Sequence, residues 1–177
     1  MNPLDIRLDC ADLVLRVPEA GDAPYIARWC ADWELARWTA NIPHPYAPAD
    51  AERFVADARA AMEEARTVCF ALDPKDEPGR VAGMVSLMLD ALGVEGDLGW
   101  WVAPPWRRRG FATQAALAMV DFARAMGVAR ITAGTLPDNH PSQAVMRKIG
   151  MRPAGKMIRA APARGAPRET LEFVLTG

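Results

Sequence analysis

The residues best suited to chemistry lie in one short run, Trp106-Arg107-Arg108-Arg109-Gly110-Phe111-Ala112-Thr113. It stands where a β-like stretch, stopped by Pro104 and Pro105, gives way to a helical pattern. The first turn of a helix leaves backbone N–H groups unpaired and carries partial positive charge, so such a turn can hold a phosphate. Gly110 lets an anion approach the backbone closely, Ala112 is too small to obstruct it, and the three arginines add charge. Taken alone, R-R-R-G is equally a solvated basic turn. A mononucleotide P-loop is excluded, because no G-x-x-x-x-G-K-[ST] occurs.

The other candidates are scattered. Asp97 is a strand carboxylate, Asn139 and Ser142 open a helix, and the only histidines are His44 and His140. A loop histidine titrates near 6.5 without consequence in most settings, and no spacing supports a serine-histidine or cysteine-histidine nucleophile. Cys10, Cys30 and Cys69 fit neither a metal-ligand spacing nor C-x-x-C, which points to reduced, mostly buried thiols and to no metal site.

The elements that must position these groups follow from periodicity. DLVLRV (12 to 17) reads as a strand, and a turn at 18 to 22 starts a helix. From Asp22 to Trp38 the apolar residues Ile26, Trp29, Cys30, Trp33 and Trp38 recur at helical spacing, giving two short helices. The three prolines of the stretch 41 to 48 break the pattern, and Asp50 opens an amphipathic helix. TVCFAL (67 to 72), VAGMVSLML (81 to 89) and DLGWWV (97 to 102) form an antiparallel meander. A long helix from Arg109 to Met126, the strand ARITAG (129 to 134) and a helix from Ser142 to Ile149 come next. Segments 151 to 158 and 169 to 175 close the chain as a hairpin around a Pro/Gly-rich loop.

Composition sets the outer limits. A chain of 177 residues, 51% apolar, can bury one good core, so a single domain over 12 to 176 is expected. With 21 basic and 22 acidic residues the net charge is −1, which gives no overall field toward nucleic acid or an anionic membrane. The N-terminus lacks a basic start followed by a long apolar stretch, and no apolar run approaches the roughly 20 residues of a membrane span. These features predict a soluble, cytoplasmic protein with no nucleic-acid or membrane partner.

Order and spacing together narrow the function. The succession of strand DLGWWV, R-x-x-G-x-A opening a helix, strand ITAGT, and Asn139-His140-Pro141-Ser142 opening a helix that ends in Lys148-Ile149-Gly150-Met151 resembles the GNAT superfamily of acetyltransferases. Within it, DLGWWVAPPWRRRGFATQA, ARWTANIPHPYAPADAERFV and TLPDNHPSQAVMRKIGM resemble the branch that acetylates the N-terminal alanine or serine of ribosomal proteins. The resemblance implies an α+β GNAT fold: a central, mixed but mostly antiparallel twisted sheet of about seven strands flanked by helices, in the principal order β-α-α-β-β-β-α-β-α-β-β.

It also implies roles. Arg107, Arg109, Gly110, Ala112 and Thr113 match the loop and helical turn that bind the pyrophosphate of acetyl-CoA, the co-substrate. Trp101 and Val102 match the strand end that pairs with its pantetheine arm, with a backbone N–H near Val102 facing the thioester oxygen. Asn139 and Ser142 match the polar pair near the thiol end, and Ser142 has the alternative of a helix-opening hydroxyl. Asp97 stands where relatives commonly show glutamate in E-I-G-Y-W, which makes it the candidate base, or else an exposed strand carboxylate. Trp33, Trp38, His44 and Tyr46 lie in the segment that walls the acceptor pocket in the family. Two departures remove usual acid-base groups: Met146 stands where many relatives have a tyrosine, and Gly134 where some have a glutamate.

The expected activity is transfer of an acetyl group to a primary amine, of a protein N-terminus or a small molecule, by direct attack in a ternary complex, from a monomer or homodimer. The alternative is an acyl-CoA-binding module without catalysis, which would bind the same ligand but release no free thiol. A ribosome- or RNA-binding protein using the patch 107 to 109 is a third reading, marked by salt-dependent nucleic-acid affinity.

Overall fold

A computed structural model describes residues 2 to 176. Its strands are β1 (Arg7–Asp9), β2 (Leu13–Arg16), β3 (Thr67–Pro74), β4 (Gly83–Leu89), β5 (Glu95–Val102), β6 (Arg130–Thr135), β7 (Arg152–Arg159) and β8 (Arg168–Thr176). They form one sheet in the order β1-β2-β3-β4-β5-β6-β8-β7. Every pairing is antiparallel except β5 with β6.

The sheet has eight strands where about seven were expected. The added one is β1, three residues whose pattern is too short and too polar to read as a strand, and whose pairing with Val14 to Arg16 decides it. The segment between β2 and β3 carries α1 (Ala23–Cys30), the one-turn α2 (Trp33–Ala36) and α3 (Pro48–Glu63). The last of these starts two residues before Asp50, because proline suits a first helical turn and Asp50 Oδ2 accepts from the Ala47 N–H at 2.8 Å. The remaining helices are α4 (Phe111–Ala125) and α5 (His140–Lys148). No described helix is long and apolar enough to cross a membrane.

Alternation along the strands sorts the sheet into two faces. Phe70, Leu72, Val85, Leu87 and Leu98 pack with Phe111, Ala115, Ala116 and Met119 of α4 and with Met146 of α5. Cys69, Ala71 and Met84 pack on the opposite face with Ile26 and Cys30 of α1 and Val55 and Ala58 of α3. Burial pushes the Cys30 and Cys69 thiols up to about 12, so both stay protonated near neutral pH. The start of α1 is fastened by a buried ion pair in which Arg16 Nη1 and Nη2 meet Asp22 Oδ2 and Oδ1, each at 2.8 Å, while Arg16 Nε reaches Asp73 at 2.8 Å.

Candidate active site

Strands β5 and β6 pair only from Glu95 with Arg130 to Asp97 with Thr132. Beyond that point β5 runs on beside β4 as far as Val102, and β6 beside β8 as far as Thr135. The two parallel strands therefore fork. The Ala103 N–H donates to Ala82 O on the β4 side at 2.8 Å, so alternation turns the N–H and C=O of Val102, Trp100 and Leu98 toward the open side. The Val102 carbonyl accepts there from Arg107 Nε at 3.2 Å. The backbone of Trp101 turns the other way, toward Met84, and its side chain packs against the cluster around Cys30. Of the two strand-end residues, Val102 presents backbone to the fork and Trp101 does not, whereas Trp100, which no sequence motif marks, does.

The run Arg107 to Thr113 closes one mouth of the fork. Arg108 at φ +64° and Gly110 at φ +79° are both left-handed, and this curls the chain tightly into α4. A β-carbon at Gly110 would meet only Gln114 Nε2, at 3.8 Å, so the glycine is required by backbone conformation and not by crowding. The first helical bond runs from the Gln114 N–H to Gly110 O at 3.0 Å, so the N–H groups of Phe111, Ala112 and Thr113 have no carbonyl behind them to bond. Arg109 Nη2 meets Asp76 Oδ2 at 2.6 Å and its guanidinium lies 4.7 Å from the Phe111 ring, which holds it beside this turn.

Helix α5 forms the other wall. Asn139 caps it, its Oδ1 accepting from the Ser142 N–H at 3.3 Å, and Ser142 is half-buried. Met146, one turn further on the same side, is only 2% exposed and belongs to the core. His140 is exposed.

The floor on the α1 and α3 side of the sheet is polar and carries residues that no sequence pattern singled out. Asp97 Oδ1 accepts from the Thr132 hydroxyl at 3.1 Å, and Oδ2 from Arg159 Nη1 at 2.7 Å. Arg159 also reaches Glu172, with Nε to Oε1 at 2.9 Å and Nη2 to Oε2 at 2.5 Å. The Thr170 hydroxyl donates to Glu172 Oε1 at 2.5 Å. Arg159 and Glu172 lie roughly 60 to 75 residues from Asp97 in the chain, on strands that meet only through sheet pairing, so local periodicity carries no trace of the cluster.

An aromatic loop lies against the turn of the β7–β8 hairpin, where Arg168 Nη1 donates to Arg37 O at 3.1 Å. Trp33, 45% exposed, has the His44 ring 5.1 Å away, and the Arg164 guanidinium 5.3 Å from its centroid. Arg37 lies 4.2 Å from the Trp38 ring. Arg164 Nε donates to Thr39 O at 3.0 Å, its Nη2 donates to Ile42 O, and the Ala163 N–H donates to Ala40 O at 3.0 Å. The 160 to 167 loop is thereby pinned to the aromatic one. Tyr46 is half-buried beside the α1 and α3 cluster, and burial pushes its hydroxyl well above the ordinary phenol range.

Compared with known families, residues 12–152 match the acetyltransferase (GNAT) domain. The chain belongs to this family. Among curated proteins, the N-acetyltransferase YnaD of Bacillus subtilis, itself named as uncharacterized, is 37% identical over 67 residues, a stretch that covers 37% of this chain and 39% of that protein. The match thus spans about two fifths of the length of that relative. Among solved structures, RimJ of Mycobacterium smegmatis in complex with CoA-disulfide is 23% identical with a TM-score of 0.84, covering 99% of this chain and 89% of that one. The ribosomal-protein-S5-alanine acetyltransferase of Vibrio fischeri is 19% identical with a TM-score of 0.82, covering 97% of each chain. These likenesses bear on the fold: the mixed sheet forked between β5 and β6 is that of GNAT enzymes.

Proposed function

We propose that this chain, as one domain over residues 12 to 176, is an acetyl-CoA-dependent N-acetyltransferase acting on a primary amine by direct attack in a ternary complex. The observation that carries the reading is the fork itself. An opened parallel pair that turns the backbone of Trp100 and the N–H of Val102 to one side, with the free N–H groups of α4 at its mouth, suits a long ligand with an amide-bearing arm and a pyrophosphate.

In this reading the turn at Gly110 to Thr113, with Arg107 and Arg109, holds the pyrophosphate, and the Val102 N–H donates to the carbonyl oxygen of the thioester. Asp97 accepts a proton from the incoming ammonium, directly or through one water, and frees the nitrogen lone pair. Bound acetyl-CoA supplies the activated acyl carbon: a C–N bond forms there as its C–S bond breaks. The Ser142 hydroxyl, on the residue whose backbone N–H bonds the Asn139 cap at the start of α5, hands a proton to the departing sulfur and takes in exchange the second proton that the nitrogen sheds on becoming an amide. Amide and free thiol result, with one proton released to water.

The acceptor enters over the floor between Trp33, Trp38, His44, Tyr46 and the 160 to 167 loop. An exposed aromatic rim above a polar floor suits the end of a peptide or a small polar amine. The likeness to the Vibrio fischeri ribosomal-protein-S5-alanine acetyltransferase favours a protein N-terminus between these two. A non-catalytic acyl-CoA-binding module is the second reading, favoured by Met146 lying in the core where an acid would otherwise stand.

Free thiol release from acetyl-CoA, followed with amines and with peptides bearing N-terminal Ala or Ser, separates the two. Acceptor-dependent release that Asp97→Asn lowers by about 10²-fold or more supports the enzyme. Binding of acetyl-CoA without release across the whole panel supports the module.

A further inference from the structure

Gly134 on β6 lies in register with Glu172 on β8. A β-carbon on it would fall 2.5 Å from Arg159 Nε, 2.8 Å from Arg159 Cζ and 2.8 Å from Glu172 Oε1, so any other residue there pushes both side chains aside. The glycine is the cavity into which a guanidinium from β7 and a carboxylate from β8 are packed, immediately beside the last paired residues of the fork, Asp97 and Thr132. Here the strand carries no acid at 134, and its neighbour two strands' width away supplies a guanidinium that grips the acid at 97.

We propose that Arg159, braced by Glu172 in the space that Gly134 leaves open, is a positioning residue that orients the Asp97 carboxylate for the acceptor amine. This rests on the acetyltransferase reading above. Glu172 is 7% exposed, and its oxygens take two hydrogen bonds from Arg159 and one from Thr170. With three of its four acceptor sites occupied and little exposure, it is poorly placed to exchange protons with an acceptor and well suited to fix a guanidinium. Arg159 spends Nε and Nη2 on that fork-to-fork grip and has Nη1 left for Asp97 Oδ2 at 2.7 Å. Thr132 fixes the other oxygen at 3.1 Å.

With one bond on each oxygen, the carboxylate cannot swing, and a lone pair on each remains for a substrate. The charged groups around it are Arg159 from β7 and Glu172 from β8; its own strand adds Glu95, already paired with Arg130 at 2.9 Å, and β4 presents the apolar Met88 opposite it. Two carboxylates and one guanidinium leave the floor with an excess negative charge, which suits a cationic amine.

A double-mutant cycle reads the coupling. Arg159→Met lowers kcat on the order of 10-fold with acetyl-CoA Kd unchanged, and Arg159→Lys recovers part of the loss. In an Asp97→Asn background, Arg159→Met costs nothing further in kcat. Arg159→Met leaves Glu172 buried without its partner, so the neutral pair Arg159→Met/Glu172→Gln is measured beside it, and acetyl-CoA affinity with far-ultraviolet circular dichroism verifies the fold of each variant.

Losses in kcat that multiply independently across the cycle, in folded variants, overturn the positioning role while leaving the acetyltransferase standing. Wild-type protein that binds acetyl-CoA and acetylates nothing overturns both.

Discussion

Gln114 holds Asp12 with both ends of its amide: Nε2 donates to Asp12 Oδ2 at 2.8 Å, and Oε1 accepts from the Asp12 N–H at 3.0 Å. This pair joins the first turn of α4, beside Gly110, to the loop before β2, across 102 residues of sequence. It ties the helix N-terminus to the chain entering β2.

Gln114→Ala should therefore cost about 1 kcal/mol of stability, as expected for partly exposed hydrogen bonds. It should also weaken acetyl-CoA several-fold. Urea unfolding and calorimetric titration of acetyl-CoA check the two halves, and unchanged affinity would show that the helix start is held by other contacts.

Gly110 allows strain to be separated from charge. Gly110→Ala forces a methyl-bearing residue to φ +79° with no clash, its β-carbon in ordinary contact with Gln114 Nε2, at a cost of about 1 to 2 kcal/mol. Gly110→Glu adds a negative charge to the proposed pyrophosphate site and should reduce acetyl-CoA binding at least 10-fold further than alanine does. Equal losses from the two would mean that the turn binds no anion.

The Arg164 bridge predicts a split in the kinetic constants. Arg164→Ala releases the 160 to 167 loop from Thr39 and Ile42, and reordering that loop on binding costs ~0.5–1.5 kcal/mol. Acceptor KM should rise roughly 3- to 10-fold, with acetyl-CoA affinity unaffected. A fall in acetyl-CoA affinity instead would place the loop on the wrong side of the site.

Asp22→Ala should be the most damaging single change near α1. It strips Arg16, 6% exposed, of a two-pronged partner and removes the acceptor for the Glu19 N–H. A loss of about 3–5 kcal/mol is expected from leaving a buried guanidinium half-paired, read from denaturant midpoints.

Acid sensitivity should trace to Glu172. Burial alone would raise its carboxyl, but the hydrogen bonds from Arg159 and Thr170 and the guanidinium charge together outweigh it and hold the group below its ordinary value. A carboxyl depressed on folding adds stability that is fully present above the unfolded value of about 4.3 and is lost as pH falls through the lower folded one. Glu172→Gln should flatten the stability profile across that acid range while lowering the plateau above it, in urea melts taken from neutral pH downward.

How much of this was legible depends on the range of the interactions involved. The meander, the long helix α4 and the closing hairpin announce themselves by period, because one buried face per element suffices to write the pattern. The turn into α4 was legible for the same reason: a helix start is made by consecutive residues, and Arg107 to Thr113 carry it whole. Strand β1 was not, since three residues with polar ends have no period. Its identity comes from the partner strand.

For the polar floor around Asp97 the division is sharper. Sequence alone determined the family-like order of elements, the glycine at the start of the long helix, and the two vacancies at Met146 and Gly134, while the left-handed φ of Gly110 came from the structure. Tertiary structure alone decided what occupies the space beside Gly134. Sheet order brings β8 between β6 and β7, and this sets Glu172 and Arg159 over the glycine and against Asp97. Such a cluster arises from strand register between distant segments, and register is fixed by the packing of whole faces, which no short run of residues records.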